Sequence, residues 1–329
     1  MTKFTQRYAI LFVLLLSASV VWTEADNGFT VVAVQFEVQE SLFGGRDPIE
    51  VFAAAVESIV EEAVRHDADL IAFPEYINVF LLAADDLALI EPASSLDDAI
   101  RLLLERYEVS NVRELLHRRA RRLTPEIVEM WQALAAEYEV AIIPGTFFWP
   151  KRETGTPARR ELTNRVIVLD ESGVIAYRQD KVFLTPEEKQ IFGLSAGSLE
   201  DAKPFEIEGT KIAVTICRDS FFSQWDVRLG TSELWIDLRA NGEPYTRAVR
   251  ERFRGTLAER VALTDANVGL SATLTGSFLE LLWEGPSYAV DASGRRVAES
   301  PTYDSSSLVI ATLDREEGLI EVVVEPLDE

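Results

Sequence analysis

One thiol, one carboxylate and one amine stand out as groups that could do chemistry together. Cys217 is the only cysteine in 329 residues; it closes the apolar run KIAVTI and precedes Arg218-Asp219. A free thiol has a pKa of about 8.5 and needs help to act as a nucleophile at neutral pH. The alternative role, a small buried hydrophobe, is the usual fate of a free cysteine. Position argues against it, because loops gather and sites are built at the ends of buried strands. The only two histidines, His66 and His117, suggest no partner. His66 ends a helical pattern over residues 49–66, where an imidazolium suits the C-terminal dipole, and His117 lies in a basic helical patch. Both read as solvated structural residues. The base must then be a carboxylate or a lysine. Glu75 ends DLIAFPE and Lys181 ends VIAYRQDK, each at the tip of an apolar run. Singly, each reads as a solvated strand end; the threefold coincidence points to convergence on one rim.

Other motifs carry less. GLSAG at residues 193–197 matches G-x-S-x-G, but both histidines precede Ser195, so the order serine, acid, histidine of an α/β-hydrolase is unavailable. It reads as a loop with turn glycines. One cysteine and two scattered histidines give no metal-ligand spacing, and neither a P-loop nor G-x-G-x-x-G occurs. No cofactor and no metal are expected.

The elements that must position these residues follow from periodicity. FTVVAVQFEV (29–38) predicts a strand, Pro48 opens a helix, and DLIAFPEY (69–76) predicts a short buried strand. Residues 80–123 carry helical patches between breakers; they read equally as a cap over a site or as packing surface. Pro125 is expected to start the helix EIVEMWQALAAEY, and VAIIPGTFFW (140–149) to form one strand. KRETGTPARRE is a loop. NRVIVLDESGVIAYRQDKVFL reads as a hairpin, and KIAVTI as a strand. RAVRERFRGTLAERVALTDA is helical, VGLSATLTGSF a strand, GPSYAVDASGRRVAE a second hairpin and SSLVIATLD a last strand. Strands alternate with helices and hairpins are added, which suits two sheets packed face to face with helices outside. No linker divides the chain.

Apolar residues make up 47%, enough for a large core, and the net charge is −23. That balance disfavours a nucleic-acid partner; the arginine clusters at 118–122 and 159–160 are surrounded by acidic residues. Lys3 and Arg7 precede an apolar run over residues 8–22, the pattern of an export signal, with Thr23 and Ala25 offering a cleavage site. An uncleaved membrane tether through residues 8–22 is the rival. Residues 1–25 are set apart on either reading, and residues 26–329 form the expected domain, periplasmic or extracellular. A single cysteine makes no internal disulfide, so the core must supply the stability.

These residues resemble the nitrilase superfamily of carbon–nitrogen hydrolases, from Phe29 to about Leu313. FPEY resembles the glutamate motif with Glu75, KVFL the lysine motif with Lys181, and TICRDSFF the cysteine motif with Cys217. EKQIFGLSAG resembles the segment carrying a second glutamate, here Glu188; Asn164 and GPSYAVDASG also stand where members have similar text. The resemblance implies a four-layer αββα sandwich, paired into a homodimer or larger homo-oligomer. It implies that Cys217 attacks a small-molecule amide or carbamoyl amine to form a thioester, with Glu75 as general base. Lys181 and the backbone N–H of Arg218 would hold the oxyanion, and Glu188 would orient Lys181 and the substrate nitrogen.

This chain departs from the pattern at several places. Phe183 stands where many members have histidine, and Phe222-Ser223-Gln224 where many have Phe-Pro-Glu. Arg218-Asp219, in place of the Trp-Glu of nitrilases proper, resembles the amidase branch, with Asp219 as a hydrogen-bond acceptor in the turn. Two alternatives stay open: acyl transfer to an amine, and a catalytically silent binding protein of the same fold. Trp149, Trp225, Trp235 and Trp283 are candidates for a pocket or for the core.

Overall fold

In a computed structural model that describes residues 28–151, 161–314 and 318–327, the chain begins with a long strand β1 (Gly28–Val38). Asp47 caps α1 (Pro48–Val64) by accepting from the Glu50 N–H, with Pro48 in the first turn, where its missing donor costs nothing. β2 (Leu70–Ala72) follows, then two 3-10 turns and α2 (Leu87–Ile90), α3 (Leu96–Tyr107) and α4 (Val112–Tyr138). β3 (Ala141–Ile143), β4 (Thr146–Pro150) and the hairpin β5 (Leu162–Leu169)–β6 (Ile175–Asp180) come next, then α5 (Pro186–Gln190). The second half runs β7 (Phe205–Ile207), β8 (Thr210–Ile216), α6 (Gln224–Leu229), β9 (Leu234–Ala240), α7 (Arg247–Phe253) and α8 (Thr256–Ala262). It closes with β10 (Val268–Phe278), β11 (Leu281–Trp283), the hairpin β12 (Tyr288–Asp291)–β13 (Arg296–Glu299), β14 (Ser307–Asp314) and β15 (Gly318–Pro326).

The strands form two half-sheets. One runs β6–β5–β3/β4–β2–β1–β14–β15, the other β7–β8–β9–β10–β12–β13. They join where Gln35–Val38 of β1 pair with Thr273–Gly276 of β10. The halves then fold face to face. One apolar cluster, including Val31, Leu70, Val166, Val214, Ile236 and Leu270, is built from strand residues of both halves and contains no helix. A second cluster packs α1 and α4 on the outside of the first half, and a third packs α6 and α8 on the second. The order is helix, sheet, sheet, helix, the αββα sandwich expected. Contacts between opposite ends of the strand order seal it: the Tyr177 ring of β6 stacks on Phe205 of β7 at 4.9 Å, and Gln179 Nε2 donates to the Val214 carbonyl of β8 at 3.0 Å.

Several expectations need correction. Pro125 does not begin a helix; it lies inside the 27-residue α4. Its position is exposed, as is Arg121, so the carbonyl that loses its N–H partner faces water. The opposite face buries Leu123, Ile127 and Trp131, and that burial offsets the lost bond. His117 is buried, not solvated. His66 lies just beyond α1, with Nε2 2.6 Å from Glu325. VAIIPGTFFW is two strands, broken at Pro144-Gly145. β9 and β15 were not expected. In β9, Asp237 and Arg239 interrupt an apolar pattern, yet the whole strand is buried because these two side chains pair with each other at 2.5 Å. The expected export segment and most of the 151–161 loop lie outside the described residues. Among the described residues no helix is long and apolar enough to cross a membrane.

Candidate active site

Glu75 follows β2, and its backbone is fixed from two sides. Gly145 has φ +72°, and a Cβ there would lie 2.1 Å from the Pro74 carbonyl oxygen, so only glycine lets this loop approach. The Tyr76 N–H donates to Thr146 Oγ1 at 3.0 Å, and Asn78 bridges the Pro144 carbonyl to Trp131 Nε1. Tyr76 itself is held at φ +67°, a conformation that costs a non-glycine residue about 1–3 kcal/mol and persists where surroundings impose it.

Lys181 follows β6. Its N–H donates to the Asn164 carbonyl at 2.8 Å, which sets Asn164 beside it, and its carbonyl accepts from the Gly197 N–H at 2.8 Å. The GLSAG loop therefore straps the lysine strand; Gly197 has no room for a Cβ against the Asp180 carbonyl oxygen, 2.7 Å away. Glu188 sits in the first turn of α5, in a capping box with Thr185: the Thr185 N–H donates to Glu188 Oε2 at 2.8 Å, and the Glu188 N–H donates to Thr185 Oγ1 at 3.2 Å.

These groups meet. Lys181 Nζ lies 2.7 Å from Glu75 Oε1 and 3.0 Å from Glu188 Oε2, and all three residues are fully buried. Asn164 Nδ2 donates to both carboxylates, at 2.8 and 3.0 Å. The Tyr76 hydroxyl donates to Glu188 Oε1 at 2.7 Å. Tyr76 and Asn164 had no assigned role in the sequence reading; the only signal for Tyr76 was its place after Glu75 in FPEY. Glu75 Oε2 is buried and accepts no hydrogen bond among the described residues.

Cys217 reaches the same place from the other half-sheet. It follows β8 at φ +50°, as the first residue of a 3-10 segment, and is buried without belonging to any of the three apolar clusters. Its electrostatic neighbours are Glu75, Lys181 and Asp237, and the Ala240 N–H donates to it. Ser220 Oγ donates to the Cys217 carbonyl at 2.8 Å. Asp219, fully buried, accepts from the Phe183 N–H at 2.8 Å and the Val182 N–H at 3.2 Å, tying the thiol turn to the lysine loop as its expected acceptor role requires. The Arg218 side chain is exposed and leans over the Phe222 ring, which stacks on Phe183 at 3.7 Å; the departure Phe183 thus forms one aromatic pair with Phe222.

Burial dominates the electrostatics. It pushes the Glu75 carboxyl up to about 7, with Glu188 adding and Lys181 opposing. It would also push the Lys181 ammonium down, but the Glu75 and Glu188 carboxylates overturn this and hold it above its ordinary value. Burial acts upward on Glu188 too, yet Lys181 and the Tyr76 hydroxyl bring it below the usual range. Burial and the Glu75 charge push the Cys217 thiol up to about 12. The resting site is therefore a neutral thiol beside a carboxyl poised near neutrality and a permanent cation.

The sequence model of carbon–nitrogen hydrolases matches residues 48–318, most of the chain. The chain belongs to the carbon–nitrogen hydrolase family. Solved members of this superfamily share its fold. The carbon-nitrogen hydrolase from Helicobacter pylori G27 superposes with a TM-score of 0.63 at 16% identity, over 88% of this chain and 90% of that one. A double mutant of the amidase from Nesterenkonia sp. AN1, in complex with acrylamide, gives 0.60 at 14%, over 88% and 92%. The NitFhit protein of C. elegans gives 0.60 at 18%, over 87% of this chain and 61% of that one. No curated protein sequence matches the chain. Within this family member, Glu75 and Lys181 follow strands of one half-sheet, Glu188 sits on α5, and Cys217 follows a strand of the other half-sheet.

Proposed function

We propose that the protein hydrolyses a non-peptide C–N bond in a small amide through a thioester on Cys217. The observation that carries this reading is the buried Glu75–Lys181–Glu188 cluster beside a buried thiol that belongs to none of the three apolar clusters. Glu75 takes the thiol proton on its unpartnered Oε2 as sulfur attacks the amide carbon. The carbonyl electrons move to oxygen, where Lys181 Nζ and the Arg218 N–H stabilise the negative charge. When the tetrahedral species collapses, the C–N bond breaks and the leaving amine takes the proton from Glu75. Water then repeats the attack on the thioester with Glu75 again as base, the acid leaves, and the proton returns to sulfur. Glu188 and Asn164 hold Lys181 and Glu75 in place throughout.

In the Nesterenkonia amidase, a mutant shows covalent addition of the acetamide moiety of fluoroacetamide at the active site cysteine. The same reagent tests this reading. Incubation with fluoroacetamide should add one acetamide moiety, located on Cys217 by peptide mass spectrometry. An unmodified Cys217, together with no turnover of any amide, carbamoyl amine or nitrile, would leave only the silent binding protein. Transfer of the acyl group to an added amine in preference to water would replace hydrolysis by acyl transfer.

The raised Glu75 carboxyl sets a pH dependence. The base form is required, so kcat/KM should fall about tenfold per pH unit below about 7. With the thiol near 12 and the ammonium above its ordinary range, no alkaline limb should appear below about pH 10. An acid limb centred at the ordinary carboxylate value of 4.5 would contradict the assignment of Glu75 as base.

A further inference from the structure

Beside the catalytic cluster the molecule holds a cavity of about 170 Å³, and residues 79–119 build most of its wall. Phe80, Ile100, Leu103 and Leu115 face it from this segment, and Phe278 and Trp283 close it from the β10–β11 turn. Ile100 and Leu103 remain only half-buried although α3 lies against the protein, because their side chains border empty space. The charged lining residues, Asp86 and Arg119, pair with each other. Arg119 also holds Asp85 at 2.9 Å, and the Tyr107 hydroxyl donates to Asp86 at 2.8 Å. The wall's charges are therefore spent on each other, and the remaining surface is hydrocarbon.

Tyr76 joins this cavity to the reacting groups. Its ring lines the cavity, its hydroxyl donates to Glu188, and Lys181 Nζ lies 5.8 Å from the ring centroid. The left-handed backbone at Tyr76 turns its side chain toward the cavity while Glu75, one residue earlier, meets Lys181. Resting on the amide-hydrolase reading above, the geometry points to this cavity as the pocket for an aliphatic or aryl group of the substrate, and to residues 79–119 as the segment that selects it. An apolar cavity of roughly 150 Å³ holds a benzene ring. The matching substrates are amides carrying a phenyl group or an alkyl chain of about six carbons, in preference to acetamide.

The binding series decides the inference, and turnover decides the reaction. Titration calorimetry on Cys217→Ala, which cannot form the thioester, should show Kd falling about fourfold per added methylene from acetamide to hexanamide. The whole series spans about 200-fold and levels off at octanamide, with phenylacetamide close to hexanamide. The same order should appear as graded thermal stabilisation of the wild-type protein, a readout independent of the variant's folding. Leu103→Trp, which fills the wall, should weaken hexanamide about tenfold and shift the preference to shorter chains. A Kd and thermal-shift series that is flat in chain length overturns the cavity assignment, even if the wild type turns amides over. A graded series with no turnover of any member keeps the cavity and removes the hydrolase reading.

Discussion

Replacing Cys217 with alanine should abolish amide turnover, with a loss of roughly 10⁶-fold in kcat, the scale seen when a hydrolase loses its nucleophile. The fold should survive. The thiol belongs to none of the three apolar clusters, and its turn is held by other groups: Ser220 on the Cys217 carbonyl and Asp219 on the 182–183 loop. Alanine accepts the same backbone more readily than a bulky or β-branched residue would. The measurement is kcat/KM for the best amide alongside the urea midpoint. A variant that keeps more than about one-hundredth of the activity would show that sulfur is not the attacking atom, because the residual catalysis from the cluster alone is far smaller.

Lys181→Met should cost less activity than loss of the thiol but should also destabilise the fold, for two separable reasons. On the proposed mechanism the ammonium donates to the developing oxyanion, and removing one such donor costs about 3–4 kcal/mol, or 10²–10³ in kcat. It is also the countercharge of two fully buried carboxylates. Breaking a buried ion pair by removing one partner costs about 3–5 kcal/mol of stability. Part of that loss is recovered as Glu75 takes up a proton, its carboxyl already raised to about 7 with the lysine in place. The double variant Lys181→Met/Glu188→Gln removes one of the stranded charges. It should regain much of the lost urea midpoint and none of the lost kcat. Recovery of activity together with stability would mean that Lys181 serves the fold alone.

The elements that carry these residues were legible because their causes are local. The strand before Glu75, the hairpin before Lys181 and the strand before Cys217 appear where β-branched and apolar runs meet turn residues. Helix α1 starts at Pro48 because Asp47 caps it. Reading failed where a distant partner changed the meaning of a residue. Pro125 looked like a helix start, but α4 runs through it because the opposite face is buried on the sheet. Asp237 and Arg239 hid β9, since a strand with two charges looks exposed until the pair is seen. His117 looked solvated in a basic patch and is buried. Trp225, Trp235 and Trp283 are all buried in core clusters, but only Trp283 also borders the cavity, a distinction that depends on what lies across from each ring.

The sequence by itself determined which thiol, amine and carboxylates were available, their order, and that each of Glu75, Lys181 and Cys217 ends an apolar strand. It also carried the resemblance that assigned them roles. Only the tertiary structure decided that residues 106 positions apart touch, that Asn164 and Tyr76 both donate to the Glu188 carboxylate, and that residues 79–119 enclose a hydrocarbon cavity beside them. The physical reason is one of range. Caps, turns and alternation act within a few residues, whereas the site forms only when two half-sheets bury their strand faces on each other. That burial removes water, and it is the loss of water that lifts Glu75 toward neutrality and keeps the Cys217 proton in place.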